Sequence, residues 1–225
     1  MARQQKRSAR RTKAAGAKPR GAPSPGGAAA RSQASLEDRG VDAALAIAAE
    51  EGWRAVTLAS VADRAGMSLA ELHAVLPSNG AILDAFARRI DRATLAGVEL
   101  EATDTGTVRD RLFDVMMRSF DALQPHRAAV AALVGDLPRN PLAAFCQGTR
   151  MLRSVAWMAA AAGVNTSGAL GLVRVHAIAT AYLLVLRAWL GDESSDKSRT
   201  MATLDRVLKN LEMLAQTTAF RRRPA

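Results

Sequence analysis

The side chains best suited to recognition chemistry cluster between Arg54 and Asn79. Thr57 and Ser68 carry hydroxyls, His73 an imidazole, Asn79 an amide and Arg54 a guanidinium, while Leu69 and Ala70 offer short apolar contact surface between them. Such groups donate hydrogen bonds to phosphate oxygens and base edges, so their chemistry is binding rather than bond-making. Catalysis has no comparable set. There is no glycine-rich phosphate loop and no nucleophile elbow. Three histidines, at 73, 126 and 176, and one thiol, Cys146, leave little for a zinc site, so no metal and no cofactor is expected. A single cysteine excludes a disulfide within a monomer and suggests a reducing, cytoplasmic compartment.

Two short helices must position these residues. Thr57 is placed to cap the first, with Leu58, Val61, Ala62 and Ala65 on one face and Gly66 at its end. Ser68 caps the second at once, and Ser68-Leu69-Ala70-Glu71 reads as a capping box with Leu69, Leu72 and Leu76 inward. Gly66 allows the sharp reversal, and Ala62 and Ala65 are small enough for close helix approach. The spacing is that of a helix-turn-helix, whose second helix can enter a DNA major groove.

Helical periodicity continues through the rest of the chain, and no segment alternates like a strand, so the fold class is all-α. A first helix is expected from Ser35 and Asp38, a cap-like pair, to Gly52. Later helices are expected from Ile82 to about Ala102, from Thr107 to Leu123 with Leu112, Met116 and Phe120 inward, and over 127–135, 142–162 and 169–190. A last helix aligns Met201, Leu204, Leu208, Leu211 and Leu214, either as a dimer seam or as plain intramolecular core. The uncharged run Val175–Leu186, bracketed by Arg174 and Arg187, is too short for a bilayer, which needs about 18 apolar residues, and reads as a core helix.

Charge divides the chain. Its 225 residues carry a net +10, but residues 1–34 hold nine bases and no acid, and Arg221, Arg222 and Arg223 add three more. Between these ends, 19 bases face 21 acids. Residues 2–34 contain no large apolar side chain and are expected to be disordered. They form either an electrostatic arm for phosphate backbones, with Arg10, Arg11 and Lys13 at its centre, or a solubilising leader. The expected organisation is an arm (1–34), a helix-turn-helix domain (35–94), a helical domain (95–220) and a basic tail (221–225). Residues 35–94 hold nine acids and six bases, so a DNA-binding face there requires charge segregated by side.

The stretch GWRAVTLASVADRAGMSLAELHAVLPSNGAILDAF resembles the N-terminal domain of the tetracycline-repressor (TetR) family. That family commonly has a tyrosine at His73, an aromatic at Val75, a small polar residue at Glu71 and a lysine at Asn79. The resemblance implies a homodimeric transcriptional regulator that binds double-stranded DNA and releases it when a C-terminal helical domain takes up a small hydrophobic ligand. Phe145, Met151, Trp157, Met158, His176 and Tyr182 are the candidate ligand contacts, with ordinary core packing the competing explanation for each. A narrower likeness, carried by Trp157, the loop Asp192–Asp196, Thr200 and Leu204, is to the C-terminal domain of the coenzyme Q accessory proteins. These share the fold, have lost operator binding and hold isoprenoid lipid. It implies an alternative, a protein that binds a lipid or quinone precursor without binding DNA.

Overall fold

A computed structural model describes the backbone of residues 25–100 and 106–220, with side chains described over 33–96, 106–142 and 144–216. Among the described residues there are nine α-helices and no strands. They are α1 (Pro25–Glu51), α2 (Leu58–Ala65), α3 (Leu69–Val75), α4 (Asn79–Leu100), α5 (Val108–Leu123), α6 (Arg127–Asp136), α7 (Pro141–Ala161), α8 (Gly168–Leu190) and α9 (Ser198–Phe220). Single 3-10 turns at Trp53–Ala55, Gln124–His126 and Leu137–Arg139 join α1 to α2, α5 to α6 and α6 to α7.

Among the described residues the first helix already runs from Pro25, so it does not begin at Ser35. Its opening segment, GGAAARSQA after Pro25, is rich in alanine with arginine and glutamine, all good helix formers, and proline suits a first helical position. Ser35 and Asp38 therefore lie inside a helix rather than capping one. Residues 1–24, with Arg10, Arg11 and Lys13, and the tail 221–225 lie outside the described residues.

Helix α1 is the hub of the N-terminal half, packing against α2, α3, α4 and α6. Val41, Ala44, Leu45 and Ala48 are all buried, as their helical spacing requires. The α1–α3 contact is tightest at Gly40, where a β-carbon would fall 2.6 Å from Leu76 Cδ1 and 3.2 Å from Leu72 Cδ1. Helix α4 runs unbroken across the 94/95 boundary and meets α5 and α7, so one rod serves both halves.

In the C-terminal half, Leu112, Met116 and Phe120 of α5 are buried as expected. Phe120 stacks on Tyr182 of α8 at 5.0 Å and lies 5.8 Å from the Trp189 ring. Helix α8 is long and apolar enough to cross a membrane by length and composition. Here its Val175, Ile178, Ala179, Tyr182, Val185 and Trp189 enter the core, against α7 and α9. On its other side Leu172, Val173, Leu183 and Leu184 are exposed. In α9, Leu204 and Leu208 are core, Met201 and Leu211 half-buried and Leu214 exposed. The two central leucines of the proposed seam are thus spent inside the subunit.

Candidate functional site

The helix-turn-helix is built by local hydrogen bonds that its residues dictate. Thr57 Oγ1 accepts from the Ser60 amide at 3.1 Å, and Ser60 Oγ accepts from the Thr57 amide at 3.0 Å. Ser60 also donates to the Ala55 carbonyl at 2.9 Å, tying α2 to the preceding turn. At the other end Gly66 is left-handed (φ 61°, ψ 44°). Its amide donates to Asp63 O and the Met67 amide to Ala62 O, both at 3.0 Å, which closes the helix in a Schellman motif. Ser68 then caps α3. Its amide donates to Glu71 Oε2 at 2.8 Å, and the Glu71 amide donates back to Ser68 Oγ at 3.2 Å. The Ser68 amide and the Ser68 hydroxyl, which also donates to Oε2 at 2.8 Å, hold the Glu71 carboxyl below the usual carboxylate range.

Helix α3 buries Leu72 and Leu76 and turns Leu69, Ala70, His73 and Ala74 outward. Leu69, expected inward, is 57% exposed, because it occupies the first helical position, one turn beyond the Gly40 contact. The outward face carries no lysine or arginine. Arg54 is exposed but pairs with Asp136 of α6 at 2.8 Å, and Asn79 donates its amide to the Val56 carbonyl at 2.8 Å. Both thus hold the motif against its neighbours. Arg39 of α1, missed in the sequence, donates to the Gly66 carbonyl at 3.1 Å and braces the turn from behind. An arginine 27 residues upstream leaves no local signal.

Several acids of this half are paired with arginines. Arg88 binds Glu37 at 3.3 Å, Arg89 binds Asp38 at 3.0 Å and Asp42 at 2.5 Å, and Arg64 binds Glu50 at 2.7 Å. Arg150 of α7 reaches Asp84 at 2.9 Å. These pairs join α1 to α4, α1 to α2 and α4 to α7, and among them only Arg150 adds positive charge from outside residues 35–94.

A second feature lies in the C-terminal half. A cavity of about 540 Å³ opens between α4, α5, α6, α7 and α8. Leu123, Val130, Leu133, Val134 and Leu137 supply much of its apolar wall. Of the candidate ligand contacts, Met151, Met158 and Tyr182 line it. Phe145 and Trp157 are 71% and 61% exposed on α7, and neither faces it. One residue is about 100° of helical turn, so Met158 points in where Trp157 points out. His176 is exposed over a shallow surface groove, its Nδ1 2.8 Å from the Leu172 carbonyl. Polar groups interrupt the cavity wall at Asp91, Ser119, Gln147, Arg150, Ser154 and Tyr182. Burial raises the Asp91 carboxyl, against a hydrogen bond from Ser154 Oγ at 3.0 Å. Burial likewise pushes the Tyr182 hydroxyl up to about 12, against its 2.9 Å bond with Ser119.

The loop after α8 has a structural role. Asp192 is buried and accepts from the Thr200 amide and hydroxyl, both at 2.7 Å, and from the Ser194 amide at 3.1 Å. Side-chain hydrogen bonds from Ser194 and Thr200 hold its carboxyl far below the usual range. Asp192, Thr200 and Leu204 therefore fasten α9, and none of them lines the cavity.

A two-helix reader braced by α1 and carried on an all-α bundle defines a helix-turn-helix regulator class. The chain is similar in structure to a TetR transcriptional regulator from Nitrosomonas europaea, with a TM-score of 0.64 and 25% identity over 77% of this chain and 96% of that one. It is also similar to a TetR transcriptional regulator from Rhodococcus, with a TM-score of 0.56 and 20% identity over 80% and 97% of the two chains. No protein-family model and no curated protein matches the sequence. The fold and its helix-turn-helix are those of the TetR-type transcriptional regulators.

Proposed function

We propose that this protein is a cytoplasmic, homodimeric regulator that binds operator DNA through α3 and loses it when a small hydrophobic ligand fills the C-terminal cavity. It acts by binding, not by catalysis. The observation that carries the reading is the outward face of α3. Leu69, Ala70, His73 and Ala74 stand exposed on a helix whose other side is locked by Leu72 and Leu76. Ala70 and Ala74 let such a helix approach closely, and His73 supplies a donor on its outward face.

The described part of the reading face holds little free positive charge. Residues 1–24 carry eight bases and no acid, including Arg10, Arg11 and Lys13, and supply phosphate affinity as a minor-groove arm would. The working division is α1 to α3 with the start of α4 for DNA, and the rest of α4 with α5 to α9 for ligand and dimer. Dimerisation uses the exposed apolar stripe of α8, setting the two copies of α3 about 34–36 Å apart.

Footprinting on the gene's own promoter tests this. The intact protein should protect a palindromic site, and Ser68→Glu with Leu69→Glu should abolish protection. Removing residues 1–24, which stops short of α1, should flatten the salt dependence of binding but leave the preferred sequence unchanged. Protection that survives the double substitution would overturn the assignment of α3.

A further inference from the structure

Two acceptors in the wall of the C-terminal cavity are incompletely partnered, the Asp91 carboxyl and the Gln147 side-chain oxygen. Asp91 of α4 presents a carboxyl in the wall, and its one hydrogen bond described here comes from Ser154 Oγ at 3.0 Å. Gln147 of α7 also lines the cavity, and its buried Oε1 accepts no hydrogen bond. Ser119 and Tyr182 are largely satisfied by each other. Tyr182 stays protonated, since burial pushes its hydroxyl up to about 12, and adds no charge.

Among the described residues the nearby cations form no ion pair with Asp91, and only the Arg153 charge acts on its carboxyl from a distance, lowering it against burial. Arg150 spends its guanidinium on Asp84 at 2.9 Å and on the Gly80 carbonyl at 3.1 Å, at the start of α4. Arg153 pairs with the same Asp84 at 3.2 Å. Arg187 lines the cavity from α8 but is exposed, so its charge is solvated. A carboxyl set among apolar side chains with one hydroxyl donor gains most from a cation that brings its own hydrogen bonds.

The volume, about 540 Å³, falls within the usual span of small-molecule sites. Resting on the reading of this cavity as the ligand site, we propose that its ligand is a small lipophilic amine. The protonated nitrogen is held by Asp91, and the hydrocarbon body lies against Leu133, Val134 and Met158. The acceptor at Gln147, about two helical turns before Ser154 along the same face of α7, is free to take a second donor from the same molecule.

The test uses the full chain without DNA. Decylamine, decanol and decanoate, each at micromolar concentration and neutral pH, are compared by calorimetric titration and by the shift in Tm. Decylamine should bind at least about tenfold more tightly than the other two and raise Tm the most. Asp91→Asn keeps an acceptor for Ser154 and should lose that preference at unchanged helix content. Should the variant not fold, selectivity among the three probes on the unaltered protein still decides the matter. Decanoate or decanol binding as tightly as decylamine, unchanged amine preference in the variant, or no decylamine binding would each overturn the proposal. Footprints of the ligand-free protein separate the two readings. An intact footprint without amine selectivity overturns the ligand class alone, whereas an absent footprint counts against the regulator reading whatever the cavity binds.

Discussion

Glu71 is the residue where folding and DNA binding pull apart. Its carboxylate completes the Ser68 cap, yet it puts a negative charge on the first turn of the reading helix. Glutamine can close the same box without the charge. Glu71→Gln should therefore lower Tm slightly at neutral pH and tighten DNA binding about three- to tenfold at low salt, read by fluorescence anisotropy. It should also change the acid limb. Hydrogen bonds to Ser68 lower the Glu71 carboxyl from its ordinary 4.5, so its stabilisation is present at neutral pH and is lost as pH falls through the lowered value. The variant should lack that part of the acid loss in a pH–stability profile. Binding that weakens instead would mean Glu71 itself accepts a hydrogen bond from a base. The box was legible in the sequence because it spans four residues. The Asn79 bond to Val56 and the Arg39 brace on Gly66 were not, because each joins residues more than twenty positions apart.

Among the elements, α3 depends most on its neighbour. Seven residues do not make a stable helix alone, so its position is set by Leu72 and Leu76 against α1. Gly40 is what lets the two helices come so near. Gly40→Ala places a methyl 2.6 Å from Leu76 Cδ1, and neither Leu76 nor Leu72 has room to retreat, both being almost fully buried. Overpacking of this kind costs about 1–3 kcal/mol. Thermal denaturation should show that loss, and operator affinity should fall further than stability alone explains, because α3 is pushed off its seat. An unchanged Tm would show that the leucines repack freely. Here sequence reading did well on the helices with strong caps, α2, α3 and α5, and missed the start of α1. Pro25–Ala34 has no large apolar residue to mark a period, and its helicity follows from alanine content and from continuity with a segment that is anchored.

For the molecule as a whole, the open question a surface can answer is how many copies assemble. The α8 stripe of Leu172, Val173, Leu183 and Leu184 is exposed, although it belongs to the most apolar helix of the described chain. Leu184→Lys should turn a dimer into a monomer by light scattering after size exclusion, while helix content is retained. The monomer should lose operator binding by at least about a hundredfold, since each half-site then binds alone. A dimer that persists would move the interface to another face.

The sequence alone determined the all-α class, the helix-turn-helix with its caps and the separation of basic ends from a near-neutral body. Those properties depend on residue type and on spacings of four or fewer, which local backbone chemistry reads directly. Only tertiary structure decided that α3 faces outward, that Glu37 and Asp38 of α1 pair with Arg88 and Arg89 of α4, and that Met158 lines the cavity where Trp157 does not. Each of those outcomes turns on which helix lies opposite, and contacts between distant segments are settled by packing rather than by the residues next in line.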